Sequence, residues 1–160
     1  VDAYRDYTTI PKPKFSTISV RKLFDHINHL LSVEMDSLGI EFEITLSPDN
    51  LEITADKELI EMVLINLIKN AKEALVDKEE GRIELRGRID TERRAIIEVK
   101  DNGPGIIVEA LDRIFIPFYS TKKDGSGIGW ALSRQIMQLH HGSLTVKSEP
   151  DIYTIFTLQF

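Results

Sequence analysis

No cysteine occurs among the 160 residues, which excludes disulfides, zinc–thiolate sites and thiol nucleophiles. That lack agrees with a reducing cytoplasm, the expected location, and is compatible with a membrane anchor elsewhere in a full-length protein. No stretch approaches the roughly 20-residue apolar run of a membrane span, so direct membrane contact by this segment is not expected. The opening Val-Asp-Ala-Tyr-Arg-Asp has no apolar core of the signal-peptide kind. Surplus positive charge is missing too. Lys and Arg number 20 against 26 Asp and Glu, a net charge of −6, so nucleic acid is not an expected partner. Any phosphate must be gripped locally, by backbone amides, a metal or a few placed cations. What is present is a hydrophobic fraction of 42% beside a charged fraction of 29%, which suits one domain with a real core.

Residues 1–19 read as a connector, since Pro11-Lys12-Pro13-Lys14 bars a helix. Leu23, Phe24, Ile27, Leu30 and Leu31 then recur at helical spacing, predicting a helix from Val20 to Ser37 that Gly39 stops. Ile40–Leu46 alternates like a strand, and Ser47–Asn50 turns into a short one at Leu51–Thr54. Asp56 caps the longest predicted helix, Lys57 to Val76. Strands follow at Arg82–Ile89 and Ala95–Lys100. Residues 101–127 are glycine-rich and too irregular for a regular element. A helix from Ile128 to His140, ended by Gly142, precedes strands at Ser143–Ser148 and Tyr153–Phe160. The order suggests a sheet covered by helices on one face.

Asn66, Asn70 and Glu73 stand at i, i+4 and i+7 on the long helix, so they form one stripe. It borders the apolar arc of Ile60, Leu64, Leu67, Ala71 and Leu75. Asparagine is a poor helix former, and its amide oxygen suits a hard cation such as Mg²⁺; polar residues at a core edge are the plainer reading. Strand Ala95–Lys100 runs into Asp101-Asn102-Gly103-Pro104-Gly105-Ile106. An aspartate there can accept a hydrogen bond from an exocyclic amine such as adenine N6, and the glycines permit close approach of a flat ligand or simply a turn. Gly125-Ser126-Gly127-Ile128-Gly129 opens a helix, whose unpaired first-turn amides suit an anion.

Together these elements resemble the GHKL ATPase superfamily, which includes gyrase, heat-shock chaperones and histidine kinases. Ile65–Ala71 is similar to its N box, Asp101–Ile106 to the first glycine box, and Gly125–Gly129 to the second. Ile114–Phe118 with Ser120-Thr121-Lys122 resembles the F box and lid of histidine kinases, nearest the nitrogen-regulation type. The first N-box position is Asn66, not the glutamate that activates water in the hydrolysing members, and an amide is no general base. The resemblance implies a two-layer α/β sandwich (the Bergerat fold), a mixed sheet with three main helices on one face, and a flexible ATP lid. It implies ATP and Mg²⁺ as cofactors, with Asp101 reading adenine, Thr154 joining through water, and Asn70 ligating the metal. Asn66 would lie beside the phosphates. Lys122, Ser126 and the amides of Gly127, Ile128 and Gly129 would reach them. Gly103, Gly105, Ile106, Phe118, Ser120, Thr121, Gly125 and Glu73 complete the expected nucleotide-binding set.

Four positions depart from the pattern. Glu73 stands where many histidine kinases have a phosphate-binding lysine, Trp130 replaces a leucine, and Ser143 and Tyr153 replace glycines. The acceptor histidine, followed by an acidic residue and then a proline, is matched by none of His26, His29, His140 and His141. No catalytic residue is therefore assigned in this chain. The implied function is transfer of the γ-phosphate to a histidine on a separate helical-hairpin dimerisation domain, with a response regulator downstream. On that reading residues 1–19 link to that domain and 20–160 form the ATP-binding domain. A serine kinase of the anti-sigma-factor type and an ATP-dependent conformational switch are the rival readings. Trp130 is either part of the core or an anchor for the helical domain or lid.

Overall fold

The computed structural model describes residues 10–116 and 129–160. Its elements are β1 (Ser16–Ser19), α1 (Val20–Ser37), β2 (Glu41–Leu46), β3 (Glu52–Ala55), α2 (Lys57–Ala74), β4 (Arg82–Ile89), β5 (Ala95–Asp101), α3 (Val108–Leu111), α4 (Gly129–Leu139), β6 (Ser143–Glu149) and β7 (Tyr153–Gln159). A five-stranded sheet runs β2-β4-β5-β7-β6, with β1 and β3 forming a separate two-stranded piece. Strand β2 is parallel to β4 while the other pairs are antiparallel, so the sheet is mixed. A parallel neighbour needs a long crossover, and β3 with α2 supplies it. Among the described residues no helix is long and apolar enough to cross a membrane.

Alternation decides which sheet face is covered. Ile83, Leu85, Ile97, Val99, Leu144, Phe156 and Leu158 point inward and are buried. The opposite face carries Glu43, Arg82, Glu84, Arg86, Arg88 and Glu98, laced by ion pairs. Three helices pack on the apolar face. Helix α1 contributes Leu23, Phe24, Ile27, Leu31 and Met35, all buried, and Gly39 ends it at φ +70°. Helix α2 packs against α1, α4, β4 and β5, burying Ile60, Leu64, Leu67 and Ala71 as its spacing predicts.

Three expectations shift. Residues 1–19 are not connector to the end, because β1 pairs antiparallel with β3 and Ile18 enters the core; the alternation of Ile18 and Val20 carried that signal. Within 101–127, one turn of helix, α3, does form, and it buries Ala110. Counting apolar residues puts Leu132, Ile136 and Leu139 on one inward face of the helix, and α4 is rotated from that face. Its buried arc centres on Ser133, Ile136, Met137 and His140, and Leu139 is exposed. The two polar members of that arc mislead an apolar count.

The end of α4 also differs in its chemistry. The left-handed residue there is His141, at φ +60°. Gly142 is needed for another reason: a Cβ on it would collide with the Gln159 carbonyl oxygen. Trp130 packs inward, its ring stacked on Phe156 at 5.8 Å and 27°. Phe115 meets the same Phe156 edge-on, with the Arg134 guanidinium 5.0 Å above the Phe115 ring.

Asp56 ties three segments together. Its Oδ1 caps α2 by accepting from the Leu59 amide (3.1 Å), and its Oδ2 accepts from the Lys14 amide (2.8 Å). Its own amide donates to Nε2 of buried His140 (3.0 Å), whose Nδ1–H donates to the Ile136 carbonyl (2.8 Å). The Phe15 ring meets the imidazole edge-on at 5.3 Å. Asp56→Ala is expected to cost about 1–2 kcal/mol, for a lost cap and a second backbone bond. The Lys14 amide leads the forces that hold the Asp56 carboxyl below its ordinary pKa of 3.8. A carboxylate so depressed stabilises the fold above its unfolded pKa and loses that contribution as pH falls through the folded one. Urea midpoints should therefore show the variant's deficit shrinking at strongly acid pH; an unchanging deficit would refute the electrostatic part.

Trp130→Ala is expected to cost about 3 kcal/mol, the low end for a large aromatic because the ring is only part-buried. In the wild type, this sole tryptophan should show blue-shifted, quencher-resistant fluorescence. Near-normal melting of the variant would return Trp130 to an interface role.

Candidate functional site

Strand β5 ends at Asp101, which stands beside Thr154 of β7 in the sheet register. Both side chains are buried, at 7% and 6% exposure, on the face that the helices cover. Burial pushes the Asp101 carboxyl up to about 6, against the opposing pull of the Gly103 amide. That amide donates to Oδ1 at 2.8 Å. Among the described residues no group donates to Oδ2.

The glycines of this loop serve the protein's own packing first. Gly103 lies against α2, where a Cβ would meet Ala74 at 3.4 Å and Asp101 Oδ1 at 2.9 Å. Gly105 has φ +76°, and a Cβ on it would fall 2.7 Å from the Glu149 carbonyl oxygen. The loop is thereby pressed onto the β6–β7 turn. Ser148 fixes it there: its Oγ accepts from the Ile106 amide (2.7 Å), donates to the Tyr153 carbonyl (2.9 Å) and lies 3.2 Å from Thr154 Oγ1. Asn102 turns to the other side, accepting from the Arg82 amide (2.7 Å) and donating to the Glu80 carbonyl (3.0 Å).

The second half of the site is the stripe on α2. Asn66 and Asn70 are half-buried and Glu73 is exposed, in line with a stripe at the margin of the apolar arc. The Asn66 Nδ2 donates to Ser133 Oγ of α4 at 3.3 Å. Gly129, the first residue of α4, abuts the same amide: a Cβ there would lie 2.7 Å from Oδ1 and 2.8 Å from Nδ2. The structure so brings Asp101, Gly103, Gly105, Ile106 and Thr154 together on one side. It brings Asn66 and Gly129 together on the other, with Asn70 and Glu73 further along the same helix. Phe118, Ser120, Thr121, Lys122, Gly125, Ser126, Gly127 and Ile128 lie outside the described residues.

Sequence reasoning missed Ser148 and Ser133. Both carry one detectable signal, a polar residue in the inward phase of its element. Ser148 alternates in step with Leu144 and Val146, and Ser133 stands four residues after Gly129 and three before Ile136.

A buried acid at a strand end, a glycine turn behind it, and an amide stripe facing a glycine-led helix come together in one α/β domain. The family described as "Histidine kinase-, DNA gyrase B-, and HSP90-like ATPase" matches residues 55–160, and the chain belongs to it. Sensor histidine kinase ZraS of Klebsiella oxytoca is 33% identical over 144 residues, 90% of this chain but 31% of that protein. Sensory histidine kinase/phosphatase NtrB of Vibrio alginolyticus is 30% identical over 149 residues, 88% of this chain and 42% of its own length. The catalytic domain of histidine kinase ThkA, solved free of nucleotide, superposes with a TM-score of 0.82 at 28% identity, covering 92% of this chain and 95% of that one. The chain thus shares its family with these kinases and its fold with a histidine-kinase catalytic domain, and it spans less than half the length of the two sensor kinases.

Burying Asp101 has a cost that can be measured. A carboxyl raised to about 6 from 3.8 is ionised in the unfolded chain before it is in the folded one. Stability is therefore lost as pH rises between those values and stays lower above them. Asp101→Asn keeps an oxygen for the Gly103 amide and carries no charge. At neutral pH it should stabilise the nucleotide-free domain by about 1–3 kcal/mol, with the gain vanishing near pH 4. Denaturation of the two proteins across that range tests it; an equal or lower stability of the variant at neutral pH would refute the desolvation argument.

Proposed function

We propose that this domain binds Mg-ATP and presents the γ-phosphate for transfer to a histidine on a separate helical-hairpin dimerisation domain, in two-component signalling. The observation that carries the reading is the half-satisfied, buried carboxylate of Asp101 beside Thr154. It offers an acceptor in a water-poor setting, where a hydrogen bond from an adenine amine discriminates well. Gly103, Gly105 and Ile106 would line the base. Asn66 and the α4 amides led by Gly127, Ile128 and Gly129 would face the phosphates, with Lys122, Ser126, Ser120 and Thr121 contributing from the lid. Phe118 and Gly125 belong to the same set.

Among the described residues no cluster of three or more His, Cys, Asp or Glu offers a metal cage. The Asn70 amide oxygen fits Mg²⁺, a hard cation whose other ligands would be nucleotide oxygens and water. Bound there, Mg²⁺ would neutralise phosphate charge, and Glu73 would meet water on the metal. Phosphoryl transfer depends on positioning and charge neutralisation, so a chain with no general base at Asn66 is suited to transfer rather than hydrolysis. The relatives named as sensor histidine kinases favour a histidine acceptor over the serine-kinase and switch readings. A response regulator is the expected downstream partner. Residues 1–15 would lead in from the hairpin domain.

Calorimetry should show ATP binding to the wild type in the micromolar to millimolar range common for nucleotide substrates. Asp101→Ala should abolish most of it without unfolding the domain, and Asn70→Ala should remove the tightening by Mg²⁺. Equal affinity in Asp101→Ala would sink the adenine assignment. Labelled ATP with a separately made hairpin domain should place acid-labile, base-stable label on the hairpin. Acid-stable label would favour the serine-kinase reading, and no transfer despite binding the switch.

A further inference from the structure

We infer that Ser133 is a positioning residue of the nucleotide site, acting through the amide of Asn66. This rests on the proposed ATP function. The Asn66 side chain sits at the margin of the core, half-buried, where an amide left to itself can turn about its last torsion and exchange its donor and acceptor ends. Two contacts remove that freedom. The Ser133 hydroxyl oxygen takes a hydrogen bond from Nδ2 at 3.3 Å, which tethers that end of the amide. The bare Cα of Gly129 admits the amide so closely that a methyl group there would meet Oδ1 at 2.7 Å and Nδ2 at 2.8 Å. Ser133 and Gly129 are four residues apart on α4, so they form one face of a single helical turn.

Ser133 is itself 3% exposed, on a helix whose neighbouring inward positions are Ile136 and Met137. A hydroxyl in that company needs a partner, and Asn66 supplies one. The consequence is reciprocal. With Nδ2 engaged, Oδ1 is the end left to accept from a donor or to face a cation. The same contact sets the N-terminal turn of α4, whose amides belong to the phosphate end, against the stripe on α2. Ser133 therefore links the orientation of the Asn66 amide to the start of α4.

The test is a double-mutant cycle on ATP affinity, with melting temperature followed in parallel. Ser133→Ala removes one oxygen from a small side chain, and the domain should remain folded. It should weaken Mg-ATP binding about threefold to tenfold, the worth of one hydrogen bond. In an Asn66→Ala background the same change should have no further effect on affinity, because the group it positions is gone. A purely structural role would lower melting temperature equally in both backgrounds and leave ATP affinity alone. The inference fails if Ser133→Ala binds Mg-ATP like the wild type, or if its loss is undiminished in the Asn66→Ala background. Wild-type protein that binds no ATP would instead overturn the function on which the inference rests.

Discussion

The burial of α2 is the constraint on which the rest of the molecule depends. Its apolar residues lie between α1, α4 and strands β4 and β5, and Ile60, Leu64 and Leu67 are all but inaccessible. Fully burying each such side chain stabilises by about 1.5–3 kcal/mol, so the helix cannot roll without forfeiting several of them. Rotation fixed by the core fixes the neighbouring stripe as well. Asn66 and Asn70 stand where they do because Leu67 and Ala71 are locked beside them. Precision at the site is in this sense borrowed from apolar packing rather than from polar contacts within it.

Asp101 shows the opposite relation between stability and function. The empty domain has to hold a carboxyl where its ionised form is disfavoured, with one backbone amide for compensation. A fold selected for stability alone would place an apolar or amide side chain there, as on the neighbouring inward positions Ile97 and Val99. The cost is local, and on the proposed reading a bound adenine amine would complete what the protein leaves undone. Asn66, Ser133 and Ser148 are different. Each finds a partner inside the protein, so each adds order without the same cost.

Much of this was legible from the sequence. The stripe on α2 and the inward arc beside it follow from helical spacing alone, and the Asp56 cap from residue type and position. Other features were hidden for definite reasons. Strand β1 is only four residues long and follows two prolines, so composition argues connector while pairing with β3 makes strand. The face of α4 was misjudged because Ser133 and His140 occupy inward positions that a count of apolar residues skips. Glycines in the loop after β5 are readable as loop chemistry. That Gly105 answers to Glu149 and Gly103 to Ala74 is not, because the contacts span distant parts of the chain. Sequence periodicity reports which face is inward; it is silent on which inward polar groups find each other.

Those pairings divide the site into two mechanically distinct ends. The end containing Asp101 is built on adjacent strands, with Thr154 in register beside it and Ser148 lacing the loop to the β6–β7 turn. Backbone ladders hold it on both sides, so a base bound there, as proposed, would meet a preformed surface. The end containing Asn66 depends on the approach of two helices, held at this point by one side-chain bond and one close contact at Gly129. Sheet ladders resist shear through many bonds at once, whereas two helices in side-chain contact can slide by small amounts. Rigidity is therefore concentrated where a base would have to be discriminated. The looser, helix-to-helix contact falls where phosphates would change charge and geometry if the proposed transfer takes place.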